Sequence, residues 1–307
     1  MLTQIFKTST RSMLIELFFV VIFFSGCYKP IDHLSPQMND LTTVNSILQE
    51  GCPVKVHVSL AGKLDTVPAK AIENAQVELY VDGVFAEKLN HIENSLYIGK
   101  TVVEGGKEYF CKAIIPDADT LYCSDKMPLA QKIIKIEHIN IAGKDEEGTS
   151  YPAIRLTFSN NPNIRTYYEI QISLFAYKDE ISFPNILNVV DPVILNEGLP
   201  ILLFSNELIS DSVYTMHVNY TTGGSFSSNG SAYRTSLYPL IIELRTVSYN
   251  YYRFRKQYYL YEQGRFANGI TETMTAAPLF SNVTNGTGIF AGYSSMFSDT
   301  IKPVYER

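Results

Sequence analysis

The chain has no tryptophan, only four cysteines and no unbroken apolar stretch long enough to cross a bilayer. Each absence narrows the reading. A spanning helix needs about 20 apolar residues, and the apolar run at residues 17–24 is far shorter. Four cysteines are too few for a disulfide-dense scaffold. With no Cys-x-x-Cys pair and no closely paired histidines there is no zinc signature either. The basic block that phosphate neutralisation requires is missing: 25 Lys and Arg face 31 Asp and Glu, a net charge of −6, so nucleic acid is not the expected partner. No Gly-x-Ser-x-Gly elbow, His-Glu-x-x-His or Gly-rich loop leading into a helix occurs, so no catalytic residue, metal site or cofactor is signalled. The reading is of a non-enzyme. His33, His57, His91, His138 and His217 are scattered without ligand spacing. Asp145-Glu146-Glu147 has the form of a solvated charge cluster more than of a calcium site.

What is present begins at the N-terminus. Lys7 and Arg11 precede the apolar run Leu17-Phe18-Phe19-Val20-Val21-Ile22-Phe23-Phe24, which stops at Ser25-Gly26-Cys27. A basic head, a short apolar segment and a small-small-Cys stop are the layout of a bacterial lipoprotein export signal. Glu16 at the head of the run and Phe24 in place of the usual Leu are departures from it. The plainer alternative is a cleaved signal followed by an unmodified cysteine, but such signals end in Ala-x-Ala. On the first reading residues 1–26 are removed, Cys27 carries the lipid, and membrane lipid is the first partner. The address is then the outer membrane, with either face compatible. Residues 27–39, with Pro30, Ser35 and Pro36, read as an irregular tether.

The remaining 281 residues suffice for two domains. Removing Lys7, Arg11 and Glu16 leaves 23 basic and 30 acidic residues, or −7. Abundant Val, Ile, Thr, Tyr and Phe predict strands, and the fold class is all-β, two β-sandwich-like domains. Residues 40–130 read as an immunoglobulin-like sandwich, with strands over 41–48, 54–60, 76–81, 95–103, 107–115 and 120–123. Asp82-Gly83 gives the strongest hairpin signal. Residues 131–307 read as a second β-rich domain, with strands from Lys132 and over 153–158, 167–177, 199–204, 213–220 and 238–247, and the Gly/Ser-rich 221–231 as loop. Its one expected helix spans about 249–263, with Tyr251, Phe254, Tyr258 and Tyr261 as the packing stripe. Asn285-Gly286 and Thr287-Gly288 predict a tight turn returning the chain to its sheet.

With Cys27 modified, Cys52, Cys111 and Cys123 are an odd set. Cys111 and Cys123 lie symmetrically about Asp117 and could meet across a hairpin. A bridge and two neighbouring buried thiols are equal alternatives, because only a non-hydrogen-bonded pair brings the Cβ atoms to about 4.5 Å.

The order of landmarks resembles one family, the domain-of-unknown-function 4249 lipoproteins of Bacteroidota. The resemblance runs from the Ser25-Gly26-Cys27 stop through Val44-Asn45-Ser46-Ile47-Leu48, Asn74-Ala75-Gln76-Val77-Glu78-Leu79 and Gly106-Lys107-Glu108-Tyr109 to Met127-Pro128. It is most specific in Asn250-Tyr251-Tyr252-Arg253-Phe254 and in the closing segment from Pro278 to Tyr293. The resemblance implies no established activity; it implies association with TonB-dependent outer-membrane receptors, hence an accessory role in nutrient uptake. The alternative is a surface adhesin or glycan-binding lipoprotein, which the lack of Trp disfavours. If the phylum holds, Asp65-Thr66-Val67, Asp119-Thr120-Leu121, Asp211-Ser212-Val213 and Asp299-Thr300-Ile301 resemble its O-glycosylation acceptors, making Thr66, Thr120, Ser212 and Thr300 candidate sites. The plainer reading of each triplet is a turn leading into a strand.

Overall fold

Alternation of apolar and polar side chains turns most of this chain into strands. In Pro53–Leu60, for example, Val54, Val56 and Val58 are buried while Lys55 and His57 face solvent. The structure, a computed structural model, describes residues 41–61, 70–175, 180–222, 224–226, 233–235, 237–264 and 279–304. The export signal, the tether, Cys27 and Thr66 lie outside the described residues.

The first half contributes β1 (Thr42–Gln49), β2 (Pro53–Leu60), β3 (Lys70–Ala71), β4 (Gln76–Val81), β5 (Val84–Lys88), β6 (Asn90–Glu93), β7 (Leu96–Val102), β8 (Glu108–Ile114) and β9 (Leu121–Lys126). Then follow β10 (Ile133–Lys144), β11 (Ser150–Ser159), β12 (Tyr167–Phe175), β13 (Ile181–Ser182), α1 (Pro192–Glu197) and β14 (Leu203–Ser205). The chain continues with β15 (Val213–Asn219), β16 (Gly224–Phe226), β17 (Tyr233–Thr235), β18 (Leu240–Val247), α2 (Tyr249–Gly264) and β19 (Thr287–Phe297). The all-β expectation with a helix in the C-terminal half holds. Asp82 and Gly83 both have positive φ, as a two-residue hairpin turn requires.

One ten-stranded sheet runs β13-β12-β18-β19-β1-β2-β7-β6, with β14 also on β12 and β3 on β2. The four-stranded sheet β5-β4-β8-β9 covers part of it and the three-stranded sheet β10-β11-β15 another part. The expected division at residue 130 therefore cuts across the long sheet, and across the first hydrophobic core too, which takes in Val283 and Phe290 from beyond it. The first core joins Val54, Val56 and Tyr97 of the long sheet to Leu79, Tyr109 and Leu121 of the four-stranded one. The second joins Tyr168, Ile170, Leu240 and Ile242 to Ile154, Leu156, Phe158 and Met216.

β19 ties the halves together. It pairs antiparallel with β18 and parallel with β1, in register from Thr43↔Thr287 to Gln49↔Tyr293. Its Phe290 enters the first core, while Ile289 and Ala291 face the other way, against Val247 of β18 and Tyr251 of α2. Asn282 brackets Phe290, donating to its carbonyl at 2.7 Å and accepting from its N–H at 2.9 Å. Asn285 has φ 63° and Gly288 φ 122°, so the turn does return the chain to its sheet. A Cβ at Gly288 would lie 2.0 Å from the Val44 carbonyl oxygen, and one at Gly292 2.1 Å from Met127 Sδ.

Two expectations are corrected. The 199–204 segment forms only β14, because α1 precedes it. That helix is capped by Asp191, which accepts from Val193 N at 3.0 Å, and stopped by Gly198 in the left-handed region. The stretch expected as loop over 221–231 holds β16, paired with β17. Of the two alternatives for Cys111 and Cys123 the structure has the unbridged one: they lie opposite one another as buried thiols, and Cys52 is free as well. Met127 N donates to the Lys107 carbonyl in the same register, which makes Cys111/Cys123 a hydrogen-bonded pair. Such pairs hold the side chains too far apart for a bridge. Contact with Cys111 and burial keep the Cys123 thiol well above its ordinary range, so it is an inert core group.

Gly288→Ala is expected to lower the unfolding free energy by roughly 3 kcal/mol or more, read from urea denaturation; an unchanged midpoint would show that β1 and β19 are not this close.

Candidate functional site

The helix α2 is held by charge as well as by apolar contact. Its first turn is capped by Ser248, whose Oγ accepts from Tyr251 N at 3.1 Å. The face toward the sheet then presents Tyr251, Tyr252, Arg255 and Lys256, while Tyr258 of the expected stripe is 37% exposed and Phe254 half-buried. The rotation has a plain cause: two buried carboxylates behind the helix require cations.

The first is Glu169 on β12. Its Oε2 accepts from Arg245 Nη1 at 2.9 Å and from the Tyr251 hydroxyl at 2.6 Å, and its Oε1 from Arg255 Nε at 3.0 Å. Arg245 also donates from Nη2 to Glu243 at 2.7 Å, and its guanidinium lies 4.6 Å from the Tyr293 ring centre. The second carboxylate is Glu197 at the end of α1. It accepts from Ser205 N and Lys256 Nζ, each at 2.7 Å, and from the Tyr252 hydroxyl. Burial works to raise its pKa, but Lys256 and Tyr252 outweigh that and hold it below the usual range. Burial, then Glu169, pushes the Tyr251 hydroxyl far up, so it stays protonated and donates. Every carboxylate oxygen of Glu169 and Glu197 is thus committed to an internal donor. That arrangement holds elements together, each of the two carboxylates joining α2 to another part of the fold.

Beside this cluster lies an open cleft of about 590 Å³, within the usual range for small-molecule sites. Glu169, Arg245, Arg255, Tyr259 and Gln263 give it a polar side. Phe183, Pro184, Ile186, Pro200 and Ile201 give it an apolar one. Phe183 is 62% exposed. Sequence reading pointed to no such site; Arg255, Tyr259 and Gln263 at i, i+4 and i+8 were its only trace.

Asp125 on β9 marks a different junction. Its Oδ1 accepts from Asn250 at the start of α2 at 2.9 Å, while Oδ2 is buried with no partner among the described residues. Burial raises its pKa to about 6 despite hydrogen bonds from Ser248, Asn250 and backbone N–H groups.

The remaining sequence candidates are dispersed. Ser212 and Thr300 are exposed and Thr120 half-buried, each immediately before a strand or bridge. His138 hydrogen-bonds Asn140 and Tyr220, and burial lowers its pKa. His217 pairs with Asn219. In the 145–147 loop Asp145 accepts from Glu147 N and Thr149 N, closing a turn. Among the described residues no three His, Cys, Asp or Glu gather as metal ligands, and no helix is long and apolar enough to cross a membrane.

The family model described as Domain of unknown function (DUF4249) matches residues 29–297. The chain belongs to this family. No curated protein matches this DUF4249 chain. Among solved structures, a putative membrane anchored protein from Corynebacterium diphtheriae is similar at 9% identity and a TM-score of 0.22, over 69% of this chain and 56% of that one. A beta-glucuronidase from glycoside hydrolase family 2 is similar at 12% identity and a TM-score of 0.22, over 82% of this chain and 22% of that one. The DUF4249 chain thus spans only part of either protein, and likenesses this distant carry no inference about activity.

Two outcomes follow. Glu169→Gln should destabilise by roughly 3 kcal/mol, since it removes the carboxylate of Arg255 and one of the two carboxylates of Arg245, measured by denaturant unfolding; a loss within 0.5 kcal/mol, about the range of an ordinary surface substitution, would show that the ion cluster does not hold the elements together. Because the Asp125 pKa is raised on folding, its protonated form contributes stability below its ordinary 3.8 and that contribution disappears as pH rises through about 6. Asp125→Asn should therefore flatten the fall in stability between pH 3.8 and about 6 by an amount on the order of 3 kcal/mol; an unaltered slope there would exclude Asp125 as its source.

Proposed function

We propose that this DUF4249 protein is a non-catalytic, lipid-anchored binding protein of the outer membrane that works beside a TonB-dependent receptor in nutrient uptake. The observation that carries the reading is the Ser25-Gly26-Cys27 stop after a short apolar run. Cys27, bearing a diacylglyceryl group and an N-acyl chain, would exceed the two signals that stable membrane anchoring needs. A tether of about a dozen residues would then hold the body close to the bilayer and raise its effective concentration near a membrane partner. The committed carboxylates of the charge cluster favour binding over hydrolysis. The cleft and the exposed edges of the long sheet supply contact surfaces.

Labelled palmitate should enter the wild-type chain in cells and not Cys27→Ala, and only the wild type should fractionate with the outer membrane and co-purify with a receptor. Equal fractionation of both forms would overturn the anchor. Glycan retention without receptor co-purification would replace the accessory role by adhesion.

A further inference from the structure

The long sheet is incomplete at one point on its outer edge. β13 and β14 both run antiparallel along the free edge of β12, with Leu174↔Ser182 in one ladder and Glu169↔Leu203 in the other. Between them the chain leaves the edge over 183–202, the excursion that carries α1. Phe175 N donates inward to Pro239 O, whereas Ile170 N donates outward to Leu202 O, each at 2.9 Å. Main-chain groups alternate along a strand, so the even-numbered residues of β12 direct N–H and C=O outward. Ile172 lies between the two ladders, and among the described residues neither outward group has a hydrogen-bond partner.

The sequence keeps it so. Extending the β13 register places Pro184 opposite Ile172, and extending the β14 register places Pro200 there. Proline has no N–H, so neither flank can donate to the Ile172 carbonyl. Ile172, Pro184 and Pro200 all line the 590 Å³ cleft. Since the Ile172 side chain belongs to the second core, what this residue offers the cleft is main chain. Main-chain groups that face an open cleft can pair with an added strand as well as with water.

The surroundings limit what the partner can be. Arg245 and Arg255 are paired with Glu169 and Glu243, so the charges on the polar side cancel. The opposite wall is apolar. We propose that the cleft binds a short, uncharged stretch of extended peptide whose C=O and N–H complete the ladder at Ile172, with an apolar side chain against Phe183 and Ile201. This rests on the binding half of the function proposed above and is independent of the anchor.

The test titrates the full-length chain in detergent micelles with N-acetyl-Ala-Val-Ala-amide and with its analogue carrying an ester oxygen in place of the valine N–H. Exchange of the Ile172 amide is followed in parallel. The expected result is saturable binding of the amide peptide, affinity about 5- to 10-fold lower for the ester, and slowed exchange at Ile172. No saturation at millimolar peptide, equal affinity for amide and ester, or binding that leaves Ile172 exchange unchanged would overturn the proposal. So would saturable binding of N-acetylglucosamine with the peptide inactive. Palmitate labelling does not enter this measurement, so failure here leaves the anchor standing, and the reverse.

Discussion

The structure depends on the close approach of β19 to β1. β19 lies parallel to β1, a strand near the start of the body, and at two points along it a side chain would intrude on its neighbours. Gly288 and Gly292 stand there, against Val44 and against Leu48 and Met127, and make the close approach possible. From it follow the continuity of the long sheet and the closure of the first core by Phe290. The surface on which α2 rests, against Ile289 and Ala291, follows too. A strand from the C-terminal segment thereby belongs to the core of the N-terminal one.

The buried charges come second in this order. Glu169 and Glu197 sit behind α2, where the apolar surroundings make an unpaired carboxylate costly. Arg245, Arg255, Lys256, Tyr251 and Tyr252 neutralise them and in doing so fix how α2 is rotated about its axis. That rotation turns Tyr259 and Gln263 toward the cleft. The same ion pairs therefore shape a wall of the cleft, which is lined by groups whose charge is already matched.

Much of the fold was legible because strand periodicity is a local property: Val54, Val56 and Val58 alternate with Lys55 and His57 whatever surrounds them. Asp82-Gly83 and Asn285 to Gly288 announced their turns through backbone chemistry. What escaped was non-local. Nothing in 287–297 says that its partner is residues 43–49. The α1 helix was missed although Asp191-Pro192 and Gly198 bracket it, since six residues are too few to show a helical period. The aromatic spacing of α2 was readable, and Tyr251 and Phe254 do pack against the sheet; that Tyr252, Arg255 and Lys256 share that face was not, because the pull of Glu169 and Glu197 comes from elsewhere in the chain. The cleft was hidden for the same reason. Pro184 and Pro200 acquire meaning only once both are seen to fall opposite Ile172.

Native-state hydrogen exchange tests the central claim, that one continuous sheet makes residues 42–297 a single cooperative body. Amides in β1, β18, β19 and β12 should exchange with one common opening free energy, equal to that of global unfolding. Protection that persists in β2, β4 and β8 while β12, β18 and β19 open together at lower free energy would contradict it.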